Sequence, residues 1–111
     1  MKFVVPSMVV LFASTTVVQA QEGDARRGLS LARQVCAECH AVQAQELKSP
    51  NPKSPTFPEL AKTPGMTSAA LTVALTTPHA GMPMFRLSAD QRADIIAYVL
   101  SLKQGASSPG K

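Results

Sequence analysis

Apolar residues are distributed along this chain in two different ways. From Phe3 to Ala13 they form an almost unbroken block behind the lone cation Lys2, whereas beyond residue 22 they recur three and four positions apart. The first pattern, followed by a small-residue exit with Val18 and Ala20, reads as a secretory leader over residues 1–20, with Gln21 as the first mature residue. An uncleaved anchor is the competing reading. Pro6, Ser7, Ser14, Thr15, Thr16 and Gln19 interrupt the stretch, leaving it marginal against the roughly 20 apolar residues a span needs. Either outcome exports the domain to an oxidising compartment, which predicts a bacterial periplasm or its equivalent.

The second pattern predicts helices. Asp24 can accept from the free amides of a first turn, so a helix is expected from there to about Val35, with Leu29, Ala32, Val35 and Cys36 as its buried stripe. Gly28 interrupts it at a cost of about 1 kcal/mol relative to Ala. Close approach by another backbone is the favoured reason, tolerated noise the alternative. Residues 49–64, SPNPKSPTFPELAKTP, carry five prolines and are expected to run as an extended loop, broken by a short helical turn at Glu59–Lys62. Phe57 and Leu60 would be stranded in a free linker, so the loop should wrap something apolar. Thr67 or Ser68 caps a short helix, SAALTVALT, with Leu71, Ala74 and Leu75 inward, and Thr77-Pro78 ends it. Ser88-Ala-Asp-Gln91 is a capping box opening the last helix. Ile95, Tyr98, Val99 and Leu102 form its apolar stripe, while Asp90, Arg92, Asp94 and Lys103 are assigned to solvent. That helix is expected to stop near Lys103, ahead of Gly105, with 105–111 as a disordered tail. No strand pattern or repeat appears, so the fold class is all-α, one domain over 21–104.

Composition adds a difficulty. Removing the leader from the 111 residues leaves 91, with no Trp, one Tyr and two of the four Phe. So small and aromatic-poor a chain needs a disulfide, a metal or a bulky cofactor to complete its core. Its size excludes a multidomain enzyme. Loss of Lys2 lowers the formal charge from +4 to +3, and the remaining cations are scattered rather than striped, which argues against nucleic-acid binding. A weak preference for acidic protein partners is what remains. No segment after the leader is apolar enough for stable membrane insertion.

The staple is found in Cys36-Ala37-Glu38-Cys39-His40. On a helical turn, positions i, i+3 and i+4 share a face, with Cβ atoms about 5–6 Å apart. A haem laid on that face can take thioether bonds from Cys36 and Cys39 while His40 binds the iron. Three other uses compete. A dithiol oxidoreductase needs a βαβ setting that the pattern lacks. A structural zinc site wants four ligands, with only His79 left to be the fourth. A disulfide over so short a step closes too small a loop to stabilise much. Haem attachment uses all three side chains.

The first helix with Gly28, the CAECH motif, Gly81-Met-Pro-Met-Phe85 and the terminal LSADQRADIIAYVLSLK together resemble the small soluble class I c-type cytochromes, over essentially the whole mature chain. The resemblance implies a cytochrome c fold in which the N- and C-terminal helices cross beside one covalent haem c and its iron, with Gly28 at the contact and Tyr98 packing there. Ala32 stands where the family's first helix often carries an aromatic, so a looser crossing is expected. The resemblance also implies that a proline carbonyl in the loop after the motif orients His40. Pro55 is the best match, with Pro52 and Pro58 open.

Distal ligand candidates are Met66, His79, Met82 and Met84. Proline holds Met82 in an extended stretch from which its thioether can project, and the resemblance implies the methionine of this M-P-x-F pattern. Met84 lies two residues on, hence on the same side of an extended segment. His79 would give bis-histidine ligation at lower potential but is expected to require a different turn, and reads as a surface residue. Met66 reads as packing. The expected function is a periplasmic one-electron carrier, not an enzyme, meeting redox proteins with acidic docking surfaces. The rivals are a haem-based gas- or peroxide-binding module in which Met82 leaves the iron free, and the electron-accepting subunit of a periplasmic dehydrogenase. No spare histidine is placed as a distal acid or base, which argues against a peroxidase.

Overall fold

Four helices follow one another in the computed structural model, which describes residues 1–5, 9–14 and 22–103. Helix α1, Ala25–Val35, starts where the Asp24 carboxylate accepts from the amides of Arg26 and Arg27, at 2.8 and 3.1 Å. Helix α2, Phe57–Lys62, begins two residues before the expected turn. Its capping box explains the extension: Glu59 N–H donates to Thr56 Oγ1 at 3.1 Å and Thr56 N–H donates to Glu59 Oε2 at 2.8 Å. Pro58 fits in the first turn because the amide it lacks would have had no helical partner. Helix α3, Ser68–Thr76, is capped by Thr67, and helix α4, Ala89–Ser101, by the Ser88–Gln91 box. Among the described residues there is no strand, only an isolated bridge between His79 and Met82.

The core gathers Ala32, Val42, Phe57, Ala61, Leu71 and the α4 stripe of Ile95, Ile96, Tyr98, Val99 and Leu102. Its most extensive seam is the packing of α1 on α4. A Cβ on Gly28 would lie 2.0 Å from the Asp94 carbonyl oxygen, and one on Gly23 would lie 1.9 Å from that of Ala93. The two backbones therefore touch, and only glycine permits it. Ala32, one turn beyond Gly28, is completely buried. The crossing is thus tight rather than loose: small residues along α1 bring the helices together where a bulky side chain would hold them apart. Tyr98 closes the seam, its hydroxyl donating to the Val42 carbonyl at 2.5 Å.

One assignment made from helical spacing is overturned. Asp94 is only 7% exposed. Its carboxylate accepts from the Asp24 amide at 2.7 Å and from the Arg27 guanidinium at 3.0 and 3.3 Å. The Arg27 hydrogen bond first, then the Asp24 amide, hold the Asp94 carboxyl below the usual carboxylate range, and Asp94 in turn raises Arg27. Helical periodicity marks a face; it does not reveal that the N-terminus of another helix covers that face.

Residues 1–5 and 9–14 carry no regular secondary structure and are exposed. The expected processing junction at Ala20–Gln21 and the tail over 105–111 lie outside the described residues. No helix among the described residues is long and apolar enough to cross a membrane.

Candidate functional site

The helical turn does not stop with α1. Cys36 N–H donates to Ala32 O at 2.8 Å, Cys39 N–H to Cys36 O at 3.1 Å, and His40 N–H to Cys36 O at 2.9 Å. Backbone bonds therefore wind CAECH into the shape that puts positions 36, 39 and 40 together, and all three side chains line one cavity. Both cysteines are free thiols. Burial pushes the Cys36 thiol up to about 11, the opposite of the lowered pKa that makes a dithiol oxidoreductase reactive. No group of three or more His, Cys, Asp and Glu among the described residues converges as a lone metal ion would require.

The proline-rich segment forms the wall beside His40. Asn51 N–H donates to Cys39 O at 3.1 Å and Phe57 N–H to Ala41 O at 2.8 Å, so the loop is pinned at both ends to the residues around the motif. Pinned this way, it presents the Pro55 carbonyl to His40, whose Nδ1–H donates to it at 2.6 Å. That bond selects the tautomer and leaves Nε2 as the lone-pair nitrogen. The Phe57 ring lies 5.6 Å from the imidazole, centroid to centroid. Phe57 is buried and Leu60 lines the cavity, so the loop does wrap apolar surface.

A third segment, 77–87, completes the enclosure. Met82 N–H reaches back to His79 O at 3.4 Å around Ala80 and Gly81, and Gly81 has φ +81°. A positive φ at the third residue is the signature of a type II turn, which glycine adopts without strain. The turn places His79 Nε2 3.1 Å from Met82 Sδ. Both residues line the cavity, as does Met66, whereas Met84 does not and is 51% exposed. His79 is itself exposed, as expected of a surface residue, while the turn sets its ring beside Met82. Ala80-Gly81 was the available clue, since such a turn folds residue 79 back upon residue 82.

The cavity measures about 730 Å³ and its remaining wall comes from Leu71, Leu75, Ile95, Ile96 and Val99. It falls inside the range of about 300–1,000 Å³ typical of cofactor sites, apolar with a few convergent polar groups. Residues 23–99, which span α1, the motif, the turn and most of α4, match the family described as cytochrome C oxidase, cbb3-type, subunit III. The chain belongs to the c-type cytochromes. Cytochrome c-552 of Bradyrhizobium diazoefficiens is 37% identical to this cytochrome over 95 residues, which is 85% of the chain and 89% of that protein. No solved structure matches it significantly. Like its family, this cytochrome is an electron-transfer protein rather than an enzyme, carries haem c, and has redox proteins as partners. Its residues fit that group: two thiols and an oriented imidazole share one wall of an apolar cavity large enough to take it.

Proposed function

We propose that this cytochrome is a periplasmic one-electron carrier in which Cys36 and Cys39 hold the haem by thioether bonds, His40 and Met82 are its axial ligands, and the Pro55 carbonyl orients His40. The observation that carries the reading is the convergence of Cys36, Cys39, an Nδ1-locked His40 and Met82 on a single apolar cavity. The bound haem supplies the Fe(III)/Fe(II) couple, at a potential raised by thioether ligation. The chain does the rest. Its apolar walls exclude water, and the short helical turn and pinned loop hold His40 in one orientation. Met82 is favoured over Met84 because it alone of the two reaches the cavity. Export is supported by the leader pattern of residues 1–20. The modest positive charge, with Lys53 at the cavity rim, supports partners with acidic docking surfaces.

Absorption spectra of the purified ferric and ferrous protein, with and without carbon monoxide, test this assignment. A thioether-to-ferric charge-transfer band and indifference to the gas are expected, with the band abolished by Met82→Ala and kept by Met84→Ala. Rapid gas binding by the wild type would instead support the sensing module.

A further inference from the structure

His79 shares the cavity with Met82 but has no part in the function above. We infer that His79 is a reserve distal ligand, held beside Met82 so that an imidazole can replace the thioether without the segment refolding. The inference rests on reading Met82 as the distal ligand, and extends it.

The hydrogen bonding of the ring carries the case. His79 Nδ1 lies 3.2 Å from the Thr77 carbonyl oxygen and Nε2 lies 3.1 Å from Met82 Sδ. A carbonyl oxygen can only accept, and is a far better acceptor than a thioether, so the neutral ring places its hydrogen on Nδ1. Nε2 is then a lone pair facing the sulfur, itself a lone-pair donor. Two such donors gain nothing from each other at 3.1 Å, but they suit a common electrophile. His40 is prepared in the same way, with Nδ1–H given to the Pro55 carbonyl and Nε2 left free. A backbone acceptor on one ring nitrogen is how proteins orient a histidine for metal. The chain thus offers two histidines in the same state of preparation, both lining one cavity.

The turn makes exchange local. His79 and Met82 are its first and last residues, joined by a bridge and set by the left-handed Gly81. With donor atoms so close, side-chain rotation alone decides which one is presented. Were His79 Nε2 to take the place of the Met82 sulfur, no electron or proton would move, the site would stay closed to gases, and the potential would fall, because nitrogen does not favour the ferrous state as sulfur does.

The holoprotein, matured with haem, is compared as wild type, Met82→Ala, His79→Ala and the double variant by ferric absorption, electron paramagnetic resonance and carbon monoxide binding. Met82→Ala should lose the charge-transfer band yet stay low-spin with a bis-imidazole signature, and resist the gas. The double variant should turn high-spin and bind the gas at once, while His79→Ala keeps the wild-type band. Met82→Leu, which preserves bulk, gives the same readout where Met82→Ala does not fold. A Met82→Ala protein that is high-spin and binds the gas as freely as the double variant overturns the inference, as does a double variant that stays low-spin. A wild type without the band overturns the Met82 assignment itself, and the exchange falls with it.

Discussion

The α1–α4 crossing and the 77–87 segment both border the same cavity, but they are held in opposite ways. The crossing joins residues some 70 positions apart through backbone contact at Gly23 and Gly28, the Asp24–Asp94 and Arg27–Asp94 hydrogen bonds and the buried Ala32. The 77–87 segment is held by local bonds, Thr77 to Val73, His79 to Thr77, Met82 to His79 and Leu87 to Phe85, and most of its residues are exposed. One is closed by the chain's own atoms, while the other has apolar side chains lining the cavity. Local stability follows buried contact, so the crossing should persist where the segment opens. In the carrier proposed above, this division would keep the tethered side fixed and confine adjustment to the distal ligand.

The largest way to break this contrast is Gly28→Ala. The added methyl would meet a helix backbone oxygen at 2.0 Å, which cannot swing aside as a side chain can. Separation of the helices should cost about 3 kcal/mol or more. Thermal unfolding of the holoprotein should then fall by more than about 10 °C, and an unchanged midpoint would refute backbone contact. Tyr98→Phe comes next, because it strands the Val42 carbonyl in the core. A loss of about 1–3 kcal/mol in denaturant unfolding is expected.

Gly81→Ala tests the other region. It forces a left-handed residue to carry a Cβ, at about 1–2 kcal/mol. The cost should appear in the segment alone, as a charge-transfer band lost at lower temperature while the global midpoint, followed by far-ultraviolet circular dichroism, stays near that of the wild type. Equal shifts in both would mean that the two regions unfold together. The smallest effect at neutral pH belongs to the Asp94 carboxylate. Its pKa is depressed in the folded state, so its contribution is present above the ordinary carboxylate value and is lost as pH falls through the lower folded value. Asp94→Asn should therefore be less stable than wild type near neutrality, with the difference closing on acidification. A gap independent of pH would contradict this.

The same contrast explains how far the residues alone could be read. Local signals carried the helices: Asp24, Thr67 and the Ser88–Gln91 box start them where the structure does. The turn that brings Cys36, Cys39 and His40 together was equally legible, since three spaced residues on one helical turn need no distant partner to share a face. What escaped depends on residues far apart in the chain. Asp94 looked solvent-facing until α1 was laid over it, and nothing around Gly23 announces that Ala93 will touch it. Ala32 suggested a loose crossing because the missing bulk is made up by closer helices, a compensation that spacing cannot display. Proline in 49–64 was read for its loop preference, while Pro58 serves the first turn of α2.

The thioether tether at Cys36 and Cys39 is tested most directly by the mass of the denatured polypeptide. The protein is produced in an export-competent host with working haem-ligation machinery and extracted with acidified acetone, which strips non-covalent haem. The extracted chain should remain coloured and heavier by one haem, and replacing both cysteines by alanine should remove that increment. A colourless wild-type chain at the mass of the bare polypeptide would contradict the tether and, with it, the roles given to His40 and Met82.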